Sequence, residues 1–126
     1  GKDTFLHRKA GAAPVSMLNQ SMAAIYLPVN QNLSPEMILE KYYSEVDIVL
    51  IEGWISGPYQ KIEIWRSESD RAPLFHKIDN VVGLFTDSHV DPREKKSADR
   101  KNIRILNGLE LHELADFIIT LNSGLT

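Results

Sequence analysis

A carboxylate stands at the end of the most apolar stretch of the chain, where it could take part in metal or phosphate chemistry. Glu52 follows the aliphatic residues 48–51, and Gly53 comes directly after it. The aliphatic run lacks polar alternation, which is typical of a strand covered on both faces in a parallel sheet. Ligands of open α/β sheets bind at the carboxyl ends of the strands. A carboxylate there can hold Mg²⁺ directly or through water, and a glycine lets the backbone approach a ligand. The pattern alone is equally consistent with a strand that simply ends in solvent.

A second acidic residue follows another apolar run, which repeats the pattern of a strand covered on both faces. Asp87 comes shortly after residues 81–85, between Thr86 and Ser88. Because the carboxyl ends of parallel strands meet at one rim of a sheet, Asp87 and Glu52 are expected at the same rim. Two acidic strand ends favour a binding site there.

Other combinations of reactive side chains do not fit catalytic spacings. The chain has four histidines, His7, His76, His89 and His112. His112 begins a pattern close to the zinc motif HExxH, but Asp116 stands where that motif needs its second histidine. Ser56 comes three residues after Gly53, whereas a nucleophile elbow requires two. The sequence therefore disfavours a zinc protease and a serine hydrolase.

Composition limits the class of protein. The 126 residues are 43% hydrophobic and 25% charged, which predicts a single globular domain over residues 1–126. The net charge of -3 disfavours a nucleic-acid or anionic-membrane partner. No apolar run approaches the roughly 18 residues of a membrane span. The chain has no cysteine, which is compatible with a cytoplasmic setting.

Two helices and two strands are predicted in the first part of the chain. They are a helix over residues 3–12, two strands or a hairpin over residues 15–18 and 21–27, and a helix that ends at about residue 44. Asp3 is a candidate cap of the first helix. Ser34 and Pro35 suit the N-cap and first position of the second helix.

The second part predicts a parallel sheet. Strands are expected over residues 48–51, 61–66, 81–85 and 103–106, a solvated loop or short exposed helix over 91–102, and a helix at the end. Residues 61–66 alternate, with Ile62 and Ile64 on one face, and indicate a strand near an edge. The last helix has an apolar stripe of Leu111, Leu114, Ile118, Leu121 and Leu125. The predicted fold class is α/β, a mostly parallel sheet with flanking helices and a more exposed hairpin or edge-strand portion.

Four segments resemble the molybdopterin-guanine dinucleotide biosynthesis adaptor proteins, the MobB family. Residues 1–12, GKDTFLHRKAGA, resemble the family's GKDSxxxRxAGA, and residues 47–54, DIVLIEGW, resemble its DLVLVEGF. Residues 61–66, KIEIWR, resemble part of PKIEVxR, and residues 82–87, VGLFTD, resemble its AVxSD or AVxTD strand end. Order and spacing agree over nearly the whole chain.

The resemblance implies a P-loop nucleotide-binding fold that binds GTP with Mg²⁺ and hydrolyses it slowly. It also implies a cytoplasmic homodimer that works with other molybdenum cofactor biosynthesis proteins to attach GMP to molybdopterin. Carried over by position, Glu52 is the catalytic carboxylate that faces Mg²⁺ through water, and Gly53 lies near the γ-phosphate. Asp3 is a second carboxylate near the metal, and Asp87 contacts guanine.

The chain departs from the family in two places. A P-loop requires GxxxxGK[ST], and no such segment occurs in the 126 residues. The expectation is a P-loop fold that is incomplete at its N-terminus, with the family's phosphate-binding third preceding residue 1. Trp54, Ile55 and Ser56 stand where the family has FKH.

Two other functions are also compatible with the sequence. The first is a non-catalytic interaction module of the same fold that binds a protein through its edge strand, with Trp54 and Trp65 exposed. The second is another P-loop nucleotide-binding protein, such as a synthetase or metallochaperone. That class shares the EG strand end but is not expected to share the segment RKAGA.

Overall fold

The structure, a computed structural model, describes residues 2–28, 33–69 and 71–123. The chain divides into two compact units, Gly1–Val49 and Leu50–Thr126, and each is described by itself. The first contains α1 (Lys2–Lys9), β1 (Val15–Leu18), β2 (Ala23–Tyr26) and α2 (Pro35–Tyr43). The second contains β3 (Lys61–Ile64), β4 (Val81–Thr86), α3 (Pro92–Arg100), β5 (Arg104–Asn107) and α4 (Leu111–Ser123). The single domain over residues 1–126 stays a prediction.

The first unit confirms the predicted hairpin. β1 and β2 pair antiparallel, with Val15 opposite Tyr26. The side chain of Asn19 makes the turn, because its Oδ1 accepts the backbone N–H groups of Ser21 at 2.9 Å and Met22 at 2.8 Å. An asparagine side chain that bonds its own turn in this way substitutes for the stronger Asn-Gly signal. Most hairpin side chains are exposed, as expected for the more exposed portion of the fold.

The two helices of the first unit differ in how well their starts were predicted. α2 starts as predicted, with Pro35 at its beginning and the Ser34 Oγ accepting the N–H of Met37 at 3.3 Å. α1 already begins at Lys2, so Asp3 lies inside its first turn and is not its cap. α1 also ends at Lys9, three residues before the predicted boundary.

The second unit is a three-stranded parallel sheet in the order β3-β4-β5. The strands predicted from residues 61–66, 81–85 and 103–106 are confirmed, and β3 lies at an edge as expected. The charged segment forms the short helix α3, one of the two predicted alternatives. Its cap is Asp91, whose Oδ1 accepts the N–H of Arg93 at 2.8 Å.

Apolar side chains cover both faces of this sheet. One cluster, on the face towards α3, consists of Phe75, Leu84, Val90, Ala98 and Ile103, with Trp65, Val81 and Ile105 packed against it. The other consists of Phe85, Leu106 and Phe117, with Ile62, Val82, Leu114 and Leu121 packed against it. β4 contributes to both clusters, which explains why its sequence lacks polar alternation. Of the predicted stripe of α4, Leu114, Ile118 and Leu121 are half-buried, Leu111 is 69% exposed and Leu125 lies outside the described residues. The buried side chain of α4 is Phe117, which was not predicted.

The prediction of a buried strand over residues 48–51 is wrong. These residues have no regular secondary structure, and no described strand pairs with them. Ile48 is 38% exposed, Leu50 75% and Ile51 45%. An aliphatic run becomes a buried strand only where a neighbouring strand satisfies its backbone groups and other elements cover its faces. Neither condition is met within the described part of the chain.

Candidate functional site

Glu52 lies in an open position at the start of a loop. Its side chain is exposed, and no hydrogen bond or ion pair joins it to a described residue. Gly53 follows with a φ of 80°, a left-handed conformation that favours glycine, and a side chain there would meet no atom within 4 Å. The carboxylate is therefore available to a ligand, and backbone can approach a ligand at Gly53.

Residues 52–60, which we call the Glu52 loop, fold back on themselves. The Trp54 indole covers Gly57 so closely that a Cβ on Gly57 would lie 2.7 Å from the ring. The Trp54 and Tyr59 rings meet edge to face with centroids 5.8 Å apart. Two backbone bonds close the turn, from Ile55 N–H to Gly53 O at 3.1 Å and from Gly57 N–H to Trp54 O at 3.2 Å. The segment that replaces the family's FKH is thus an ordered turn built around a tryptophan.

Neither tryptophan is exposed as the interaction-module hypothesis required. Trp54 is half-buried within the Glu52 loop. Trp65 is half-buried against the core and donates its Nε1–H to the Arg71 carbonyl oxygen at 2.8 Å. Both rings therefore contribute to packing within the second unit.

Two charged residues of β3 tie loops to the edge of the sheet. The Lys61 ammonium donates to three backbone carbonyl oxygens, those of Gly57, Tyr59 and Asp79. The Glu63 carboxylate accepts the N–H groups of Leu74 at 2.6 Å and Phe75 at 3.0 Å. The sequence alternation placed Lys61 and Glu63 on the face opposite Ile62 and Ile64 but did not predict these roles. The sequence signal for these roles was the pair of opposite charges that alternates with isoleucine on a strand next to glycine-containing loops.

Asp87 lies at the carboxyl end of β4, as predicted. Its Oδ1 accepts the Ser88 hydroxyl at 3.3 Å, and the Ser88 Oγ in turn accepts the N–H of Ser67 at 3.0 Å. The Gly108 N–H donates to the Thr86 carbonyl oxygen at 2.7 Å, which holds the ends of β4 and β5 together. Asp87 Oδ2 has no partner among the described residues, so it can accept a hydrogen bond from a ligand.

An open hollow of about 380 Å³ lies at the carboxyl ends of β4 and β5. Its lining residues are Thr86, Asp87, Ser88, His89, Val90, Lys95, Ile105, Leu106 and Asn107. It combines an acidic acceptor, a lysine ammonium and neutral hydrogen-bonding groups over an apolar floor. Such groups can form hydrogen bonds with a small polar ligand, and the hollow lies where open α/β sheets bind theirs. Glu52 is not among the lining residues.

The remaining predicted metal ligand, Asp3, is exposed in the first turn of α1 in the other unit. Within the described residues, no group of three or more His, Cys, Asp or Glu side chains could hold a metal ion. Glu52 and Asp3 therefore each offer a single carboxylate and not part of a complete protein cage. No helix among the described residues is long and apolar enough to cross a membrane.

Comparisons with known proteins agree with this architecture. The family model described as MobB, molybdopterin guanine dinucleotide synthesis protein B, matches residues 1–87. The crystal structure of molybdopterin-guanine biosynthesis protein B (mobB) superposes with a TM-score of 0.61 at 21% sequence identity. That match covers 98% of this chain and 76% of the other. None of the curated proteins compared matches the chain.

The parallel sheet, its flanking helices and the polar rim define an α/β protein of the same fold as that crystal structure. The family match spans more than half of the chain and includes Asp3, Glu52, Gly53 and Asp87. The chain belongs to the MobB family.

Proposed function

We propose that the protein is a GTP-binding accessory protein of molybdenum cofactor biosynthesis that hydrolyses GTP slowly with Mg²⁺ in the cytoplasm. The observation that carries the proposal is the family match over residues 1–87. The open position of Glu52 and the hollow beside Asp87 support it, because both leave the expected ligand-binding groups accessible. The exposed tryptophans on which a non-catalytic module would depend are absent from the described residues.

The chemistry of Glu52 suits Mg²⁺ held together with nucleotide phosphates. Mg²⁺ keeps several waters and is usually bound through one or two carboxylates plus substrate phosphates, not by an all-protein cage. One unpaired, exposed carboxylate fits that arrangement, and so does the lack of a larger ligand cluster among the described residues. When bound, Mg²⁺ neutralises the charge of the phosphates. Asp3, an exposed carboxylate of the first unit, is retained as a second proposed metal ligand.

The residues of this chain would do three things in the proposed reaction. Glu52 would hold Mg²⁺ through water by accepting hydrogen bonds at its carboxylate. Gly53 lets the backbone approach the γ-phosphate without a side chain in the way. Asp87 receives the base in the hollow at the rim. Phosphate-cradling backbone of the GxxxxGK[ST] type does not occur in the 126 residues, so these residues by themselves are expected to bind GTP very weakly.

Asp87 is proposed to select guanine. The Watson–Crick edge of guanine carries two donors, N1–H and the 2-amino group, whereas that edge of adenine pairs one donor with an acceptor. An ionised carboxylate is an acceptor only, so it matches guanine better. A hydrogen bond to a charged group contributes about 1.5–3 kcal/mol.

Replacing Asp87 with asparagine is expected to reduce the preference for GTP over ATP about tenfold, since one acceptor becomes a donor. The measurement is competition of the two nucleotides against a fluorescent GTP analogue, on the gene product that contains these residues. Asp99→Asn is the matched control, because Asp99 is an exposed carboxylate on α3 outside the hollow. An unchanged preference in Asp87→Asn would remove Asp87 from base recognition.

A homodimer and contacts with other molybdenum cofactor biosynthesis proteins belong to the same proposal. The hairpin exposes large apolar side chains, with Leu18 80%, Met22 67% and Ile25 62% exposed. A second hollow of about 800 Å³ in the first unit is lined mainly by apolar residues of α2 and of the segment after β2. Surfaces of this kind are typical of association sites. Sedimentation of the gene product as a monomer at all concentrations would contradict the dimer.

A further inference from the structure

We infer that Lys61 is a positioning residue that fixes the Glu52 loop, and with it Glu52, in place for the metal. The metal role of Glu52 is taken from the proposed function. The role of Lys61 is drawn from hydrogen bonds within the second unit. Nothing in the resemblance of KIEIWR to the family motif assigns Lys61 this task.

All three donors of the Lys61 ammonium have a backbone acceptor. Nζ lies 2.7 Å from Gly57 O, 3.0 Å from Tyr59 O and 3.2 Å from Asp79 O. The first two acceptors belong to the Glu52 loop, and the third lies in the turn that precedes β4. One side chain thus joins the loop to the starts of the two neighbouring strands β3 and β4.

Asn80 strengthens the same junction. Its side-chain Nδ2 donates to the Pro58 backbone oxygen at 2.9 Å, and its backbone carbonyl oxygen accepts the backbone N–H of Lys61 at 2.7 Å. The backbone carbonyl oxygens of three consecutive loop residues, 57 to 59, therefore each accept a hydrogen bond from the side chain of Lys61 or Asn80. Because carbonyl oxygens in a loop normally face water, their capture by two side chains marks a loop whose conformation is specified.

The constraint reaches Glu52 through a short chain of contacts. Gly57, held by Lys61, lies under the Trp54 indole and donates its N–H to Trp54 O at 3.2 Å. The Ile55 N–H donates to Gly53 O at 3.1 Å. Gly53 is the neighbour of Glu52 and adopts the left-handed φ of 80°. Losing the Lys61 anchor releases Gly57 first and then the turn that orients Gly53 and Glu52.

A lysine suits this position for a geometric reason. An ammonium group directs three donors at tetrahedral angles, whereas the guanidinium of arginine is a planar fork. Lys61 is half-buried, so its charge is partly removed from water and is compensated by the three carbonyl dipoles. Arginine should therefore restore the charge but only part of the loop order.

The first test is amide hydrogen exchange of the 126-residue chain carrying Lys61→Met. The amides of Ile55 and Gly57 are expected to exchange at least about tenfold faster, while the amides of β4 and β5 keep their protection. Lys96→Met is the control, because Lys96 is an exposed lysine of α3. Unchanged exchange at Ile55 and Gly57, or a uniform rise through the sheet, would overturn the inference. If Lys61→Met does not fold, Lys61→Arg decides, with an intermediate rise expected at the same two amides.

The second test separates the role of Lys61 from that of Glu52. In the gene product, the Mg²⁺ concentration needed for half-maximal GTP turnover should rise severalfold when Lys61→Met is introduced. Glu52→Gln should raise this concentration less in the Lys61→Met protein than in the wild-type protein. If Glu52→Gln alone changes nothing, the proposed metal role of Glu52 fails, whereas the exchange result still decides whether Lys61 orders the loop. If Glu52→Gln raises the Mg²⁺ concentration needed for half-maximal turnover and Lys61→Met does not, Lys61 does not position Glu52 for the metal.

Discussion

Replacing Glu52 with glutamine is expected to lower Mg²⁺-dependent GTP turnover by about 10–100-fold, the usual loss when a group that orients metal-bound water is removed. The substitution keeps the size of the side chain and removes its charge. Because Glu52 is exposed and makes no hydrogen bond or ion pair with a described residue, the fold loses nothing by the change. The effect should therefore appear in turnover and in the Mg²⁺ dependence, with the melting temperature unchanged.

The measurement is steady-state phosphate release by the gene product at several Mg²⁺ concentrations. Glu45→Gln is the matched control, since Glu45 is also an exposed glutamate but lies in the first unit and outside the four family-like segments. Unchanged hydrolysis in Glu52→Gln would remove Glu52 from the mechanism. Equal losses in both variants would show a general effect of charge.

The largest effect on stability is expected from Leu106→Ala. Leu106 is fully buried in β5, where it packs with Phe85 and Phe117 between the sheet and α4. Truncating a buried leucine removes apolar contacts and leaves a cavity, which costs about 2–5 kcal/mol of unfolding free energy.

Urea denaturation followed by circular dichroism measures this loss. Leu109→Ala is the control, because Leu109 is three residues away but 76% exposed, and its unfolding free energy should change by no more than about 0.5 kcal/mol. Similar losses in the two variants would mean that the cluster of Phe85, Leu106 and Phe117 does not form the core of this unit.

Local signals in the sequence predicted most of the fold. The Ser34 cap with Pro35 set the start of α2, and the alternation of β3 identified its edge position. β4 was correctly interpreted as buried on both faces. In these cases the residues that determine the element are close together in the sequence, so the pattern contains the necessary information.

The error at residues 48–51 has a different origin. Four aliphatic residues predict burial, but whether they form a strand depends on a partner strand that the run itself does not encode. The run therefore predicted an apolar segment correctly and its secondary structure wrongly. Glu52 does not follow a buried strand, and its proposed role is supported by its open position and by the family match.

The loop contacts could not be predicted for a related reason. Lys61 reaches Asp79, 18 residues away, and Glu63 reaches Phe75, 12 residues away, and both bind backbone atoms. Every residue type has the same backbone acceptor, so the sequence does not show which backbone atoms a charged side chain will bind. A charged residue on a strand is therefore predicted to face solvent. Trp54 and Trp65 were likewise predicted to be exposed, whereas Trp54 is half-buried against its own loop and Trp65 is half-buried against the core.

The most direct test of the proposed function is a calorimetric titration of the gene product that contains these 126 residues with GTP, with and without Mg²⁺. The proposal predicts GTP binding that is strengthened by Mg²⁺, with that strengthening reduced about 10–100-fold in Glu52→Gln. It also predicts very weak binding by residues 1–126 alone. Absence of GTP binding by the gene product, or binding that neither Mg²⁺ nor Glu52→Gln alters, would contradict the proposal.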